Sequence, residues 1–372
     1  MNPRIAVPLF TVIAFAIAMA LTGAVVAPDD VWPNILLSGF FLLGIGLAGG
    51  FLVAVHDVSN GRWLGPVRRI ACGFTRLVLP GWLVVFAAIV LGWSHLYGDH
   101  HLAGFKALWL DRTFVTARAI IYMLAWLGSL RLLRRVAPAS SPAVAAASRR
   151  GRRAAATVAR PAAPYLVIFA FTVWLASVDW IMALEPEWSS TIFGVYHFAG
   201  LFTAGLAAIV VVAVNRSRSD AAITSDHLHD LGKLLFAFST FWMYIWFSQG
   251  MLIWYGNLAE ETGFYARRAY GNWGVLFWAT VVLMWALPFL VLLPENTKRN
   301  RTILSRIAVA ILIGHWLDLY VAIIPAHTPA PHLTGWELAL ALGAFAAVGW
   351  AGVRELRGAM VQPVLEPVRD LW

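Results

Sequence analysis

Seven side chains in this sequence could exchange protons or hold a polar ligand while standing inside long apolar runs. They are His95, Arg118, Asp179, His197, Gln249, His315 and Asp318. An ionisable group at the centre of a bilayer costs at least about 2.5–3.5 kcal/mol, so each one needs a partner or a purpose. Histidine beside a carboxylate can take up a proton near neutral pH and pass it on. His315 and Asp318 are spaced i, i+3 and look from one face of a helix. Arg118 cannot be neutralised, which makes Asp179 its natural buried counter-ion. Taken singly, a packed ion pair and two histidines bonded to backbone carbonyls account for these residues. Taken as a set, they suit proton transfer, or hydrogen bonding to a ligand with two carbonyl or hydroxyl groups.

The elements that must position them are about ten apolar segments, spanning residues 5–26, 33–56, 76–97, 113–134, 163–184, 189–214, 231–257, 272–294, 303–325 and 334–353. A helix needs roughly 20 residues to cross about 30 Å of hydrocarbon. Of the 372 residues 60% are hydrophobic and only 13% charged, more apolar surface than a soluble chain can hide. The expected fold is an all-α integral membrane protein: one transmembrane domain over residues 1–353 and a cytoplasmic tail over 354–372. The apolar run within residues 1–27 is longer than the 7–15 residues of a cleaved signal, so it reads as a retained first helix.

Charge sets the expected orientation. With the N-terminus cytoplasmic and an even number of spans, only Lys106, Arg112, Arg118, Arg267 and Arg268 of the 28 Lys and Arg fall on the outer side. That satisfies the positive-inside rule and places both termini in the cytoplasm. The net charge of +9 then reflects topology, and no basic stripe suggests nucleic acid as a partner. The Ala/Arg-rich stretch 137–160 reads as a basic cytoplasmic linker near anionic lipid. With Cys72 as the one cysteine, the chain can form no disulfide within itself and cannot ligate an iron–sulfur cluster alone.

In this orientation Arg118, Asp179, His197, Gln249 and Asp318 lie roughly 8–12 Å from the outer helix ends at 1.5 Å per residue. His315 lies deeper and His95 near the surface. The inner half holds only His56 and Asp57, apart from flanking charges. Such asymmetry implies a hydrated or ligand-filled pocket opening outward. A quinone headgroup needs a donor at each carbonyl, and quinol oxidation needs bases for two protons, which histidine and carboxylate supply. The unequal depths of His95, His197 and His315 argue against a haem held by two histidines. Prolines confined to helix ends argue against a transporter with broken helices.

Four blocks carry a family resemblance: residues 177–202 (SVDWIMALEPEWSSTIFGVYHFAGLF), 229–262 (HDLGKLLFAFSTFWMYIWFSQGMLIWYGNLAEET), 315–325 (HWLDLYVAIIP) and 49–69 (GGFLVAVHDVSNGRWLGPVRR). They resemble the F subunit of bacterial alternative complex III, a quinol:cytochrome c oxidoreductase, and cover most of the chain from the second to the ninth segment. The Ala/Arg-rich stretch 137–160 matches none of that family's motifs. The resemblance implies a polysulfide-reductase-like membrane subunit of ten helices, with two four-helix bundles and two flanking helices, in the bacterial inner membrane. It implies membrane and periplasmic partner subunits that carry the haem and iron–sulfur centres, with quinone or quinol as ligand and no covalent cofactor or metal on this chain. The expected roles are Asp179 and His197 as proton acceptors or quinol partners, with Glu185 on the exit path. Arg118 would fix the charge of Asp179, Asp318 would orient His315, and His56 with Asp57 would take up protons from the inner side. The resemblance leaves open whether this subunit binds quinol. A structural anchor, or a proton-conducting subunit of an oxidase-type assembly with no quinone site, fits the same residues.

Overall fold

The computed structural model describes residues 3–59, 64–98, 103–135 and 149–357, and all regular structure among them is helical. The elements are α1 (Pro3–Val26), α2 (Pro28–Val58), α3 (Val67–Leu91), the short α4 (Gly104–Trp109), α5 (Arg112–Arg135) and α6 (Arg149–Trp180). They continue with α7 (Phe193–Arg216), α8 (Ser225–Gly256), the amphipathic α9 (Ala259–Ala269), α10 (Gly271–Leu292), α11 (Arg301–Ile323) and α12 (Gly335–Arg357). Among the described residues, nine helices are long and apolar enough to cross a membrane. The tenth expected span falls on α8, whose 32 residues give it ample length, roughly 48 Å. Its apolarity is diluted by Ser239, Thr240, Ser248, Gln249 and a run of Trp and Tyr, residues that suit membrane interfaces better than the hydrocarbon centre.

α2 and α7 are apolar on every face and buried along nearly their whole length, the mark of central helices. α2 packs against α1, α3, α6, α7, α11 and α12; α7 packs against α2, α6, α8 and α11. α5 bridges α3 and α6, and α10 packs on α8 and α11. Between helices in lipid, close packing stands in for the hydrophobic effect, and small residues permit it. At Gly46 a Cβ would lie 2.7 Å from the backbone nitrogen of Val78, so only glycine lets α2 and α3 cross this closely. In α10 the helix widens to a π-turn over Val282–Ala286, just before Pro288, which has no N–H to offer the preceding turn. Gly314 of α11 faces this widened turn.

The second half of the stretch expected as a linker is helical: α6 starts at Arg149, in keeping with the helix propensity of Ala and Arg. Residues 136–148 and 358–372, and with them the first half of the linker and most of the tail, lie outside the described residues.

Hydrogen bonds and ion pairs define two ends of the helix array. One gathers Asp29, His95, Glu185, Arg268 and His332; the other gathers His56, Asp57, Arg68, Asp226 and Arg299.

Candidate functional site

Arg118 of α5 and Asp179 of α6 meet as expected, at 7% and 0% exposure. The guanidinium approaches side-on, with Nε 2.7 Å from Oδ2 and Nη2 2.8 Å from Oδ1. Two further donors complete the carboxylate: the Tyr122 hydroxyl to Oδ2 at 2.8 Å and the Trp109 indole N–H to Oδ1 at 2.9 Å. Arg118 also donates to the Trp109 carbonyl, and its guanidinium lies over the rings of Trp109 and Phe114 at 4.1 and 4.4 Å. Four donors from three side chains occupy the main acceptor directions of Asp179. Tyr122 escaped the sequence reading because a tyrosine in an apolar run counts as core, although its i+4 spacing from Arg118 puts both on one helix face.

The second constellation belongs to α7 and α11. His197 and His315 are each 1% exposed, and none of their four ring nitrogens has a hydrogen-bond partner among the described residues. His315 packs on Gly200, where a Cβ would stand 3.0 Å from its ring, and His197 lies one helical turn before Gly200 on the same face of α7. Aromatic rings pack around them. Phe193 and Phe40 meet His197 edge-on at 4.4 and 5.6 Å between centroids, and Phe41 stacks on His315 at 6.0 Å. Asp318, 4% exposed, accepts a hydrogen bond from the hydroxyl of Tyr196. Its other oxygen stands 3.8 Å from His315 Nδ1, beyond hydrogen-bond range. Asp318 thus sits beside His315, but its bonded partner is Tyr196, the neighbour of His197 that sequence reasoning passed over. A shift of about 1 Å would close the His315–Asp318 gap to bonding distance.

The other predicted residues take separate places. Gln249 lines a cleft of about 360 Å³ between α6 and α8 with Trp174, Met182, Ser189 and Glu261. His95 lies at the surface against Asp29, at 2.7 Å. Glu185 pairs with Arg268 and, at 3.2 Å, with Arg267. Arg268 is 2% exposed and donates to the carbonyls of Val321 and Ala322 near the C-terminal end of α11, where a cation suits the helix dipole. Burial pulls its pKa down, and Glu185 opposes that pull. At the far end Asp57 accepts from Arg68 Nε and Nη2 at 3.1 and 2.6 Å and lies 3.2 Å from His56 Nδ1.

At the end that gathers Asp29 and Glu185, His327 is held neutral: burial lowers its pKa to about 4, against the fields of Glu185 and Asp29. For His332 burial also disfavours the cation, but the Ala330 carbonyl, Glu337 and Asp30 outweigh it and raise the pKa.

The residues expected around one pocket therefore form a closed ion pair, an open histidine–carboxylate cluster, and a cleft with Gln249 on its wall. A cleft of about 300 Å³ that includes Tyr97, Asp111, Arg112 and Asp179 lies beside the ion pair. Both clefts have volumes in the range of small-molecule sites, whereas His197 and His315 are packed among aromatic rings. Among the described residues no group of three or more His, Cys, Asp or Glu is arranged to hold a metal ion. No protein-family model and no curated protein matches the sequence, so a functional reading stands on these residues and their geometry.

Proposed function

We propose that the protein is a membrane subunit of a quinol-oxidising respiratory assembly, and that its own contribution is proton handling at His197, His315, Asp318 and Tyr196. In this reading all ten long helices cross a bacterial inner membrane and both termini are cytoplasmic. The middle eight helices form two four-helix bundles, one of α2, α3, α5 and α6 and one of α7, α8, α10 and α11. The packing partners of these helices and the basic residues gathered around Asp57 support that arrangement.

The observation that carries the proposal is the set of four unpartnered ring nitrogens at the α7–α11 contact, next to a carboxylate that spends only one oxygen on a close partner. Buried polar atoms are nearly always paired, and an unpaired set beside a carboxylate is the condition for a group whose protonation changes in use. His315 would accept a proton and turn to Asp318, with Tyr196 holding that carboxylate in place. The quinol and the haem or iron–sulfur centres of such an assembly would supply the electron chemistry. This chain would bind, orient and relay.

A second reading, a structural anchor without a working site, is favoured by the closed geometry of Arg118 and Asp179. Asp318→Asn separates the two. Proton handling predicts at least a ten-fold loss of quinol-dependent electron transfer in an assembly recovered at normal yield. Undiminished turnover in fully assembled Asp318→Asn and His197→Ala would leave only the anchor.

A further inference from the structure

The cleft at Gln249 has a chemistry of its own, separate from the histidine cluster. We propose that it binds a membrane lipid whose headgroup donates hydrogen bonds through ammonium or hydroxyl groups, with the apolar chain lying in the trough next door. The polar compartment, about 360 Å³, lies between Trp174 and Met182 on one side and Gln249 and Glu261 on the other. The trough, about 390 Å³, shares Trp174, Val178, Met182 and Ser189 with it, and its walls include Phe105, Trp109, Leu175 and Ala183. Both volumes fall in the range of ligand sites, and their shared lining sets a head compartment beside a tail compartment.

The case for an occupant starts from Gln249. Its side chain belongs to a residue 3% exposed, lines the cleft, and has no hydrogen-bond partner among the described residues. Its unpaired amide opens onto the cleft, where it can accept from and donate to a ligand. Glu261, half-buried at the start of α9, lines the same cleft without an ion-pair or side-chain hydrogen-bond partner among the described residues. An amide oxygen and a carboxylate are acceptors, so the complementary headgroup brings donors. Lys106, on the wall of the trough, donates to the carbonyl of Pro186. The Trp174 indole donates to the Thr191 carbonyl at 3.2 Å, which fixes its ring as the wall between the two compartments.

Two sources offer this chemistry: an ethanolamine phospholipid through its ammonium group, and a reduced isoprenoid quinol through its hydroxyls. Phosphatidylcholine is the discriminating control, because it keeps the phosphate and the chains but has no donor protons. The test is native mass spectrometry of the full-length protein in detergent, titrated with phosphatidylethanolamine or phosphatidylcholine, with a short-chain quinol as competitor. The proposal expects about ten-fold tighter retention of phosphatidylethanolamine, the size of a lost charge-assisted hydrogen bond. It expects that preference to vanish in Gln249→Leu and in Glu261→Gln, the latter a half-exposed change that spares the fold. Displacement by quinol would name the quinol as the stronger occupant of the same site, and its failure would name the aminophospholipid. Equal retention of the two phospholipids by the unaltered protein, or a preference intact in both variants, would overturn the proposal. No turnover enters this readout, so its outcome is independent of the proton-handling proposal.

Discussion

Asp179 and Asp318 occupy comparable settings, each near one end of a long helix and each touched by a tyrosine hydroxyl, yet they differ in what remains open to them. Asp179 accepts four hydrogen bonds, two of them from one guanidinium, whereas Asp318 accepts one and faces an unpartnered imidazole. Desolvating a carboxylate is costly, and only a full set of donors offsets it. Breaking a buried pair by removing one member typically costs about 3–5 kcal/mol. Arg118→Leu should therefore abolish accumulation of the folded protein, and Arg118→Lys should not restore it, because an ammonium cannot make the side-on contact. Tyr122→Phe removes a single donor and should cost about 1–2 kcal/mol, read as a modest fall in thermal midpoint in detergent. Normal expression and stability of Arg118→Leu would show that the pair is dispensable.

At the scale of elements, the loop between α11 and α12 is tied down by charge. His332 reaches Asp30 at the start of α2 at 3.3 Å, while the Tyr320 hydroxyl donates to the His332 carbonyl and to Glu337. Beside this clamp His327 is held neutral, with a pKa of about 4. As pH falls below about 6.5 the unfolded chain takes a proton on this imidazole, and the folded chain does so only near 4, so stability declines across that window. The loss reaches about 3 kcal/mol at its lower end. Thermal midpoints at pH 7.5 and 4.5 should therefore fall further for the unaltered protein than for His327→Asn. Equal falls would contradict a buried neutral His327.

Much of this architecture was legible in the residue pattern because membrane helices announce themselves by length and apolarity. The i, i+3 spacing of His315 and Asp318 and the need of Arg118 for a counter-ion likewise follow from chemistry in one dimension. Other features do not. Tyr122, Trp109 and Tyr196 supply decisive hydrogen bonds, but nothing in an apolar run marks which aromatic ring turns its polar edge inward. Depth along a helix placed Gln249 at the level of His197, yet depth carries no angle around the axis, and Gln249 faces a different cleft. The start of α6 was hidden because an Ala/Arg-rich stretch reads as a solvated linker or as a helix with equal ease.

At the scale of the whole molecule, the ten-crossing arrangement depends on α8, the long helix that falls short on apolarity alone. If it crosses, residues near Leu258 and residues near Asp230 face opposite compartments. Single cysteines at these positions, in a background with Cys72 replaced by alanine, should label from opposite sides of intact cells and inverted vesicles with an impermeant maleimide. Labelling of both from one side would remove the crossing and with it the even count that places the termini together.

The central claim, membership in a quinol-oxidising assembly, is tested most directly by isolating the tagged protein from its native membranes in mild detergent, identifying the co-purifying subunits and recording an absorption spectrum. Haem- and iron–sulfur-bearing subunits are expected at fixed stoichiometry, with haem bands that quinol reduces. Recovery of the chain alone, or with partners that carry no redox centre, would contradict it.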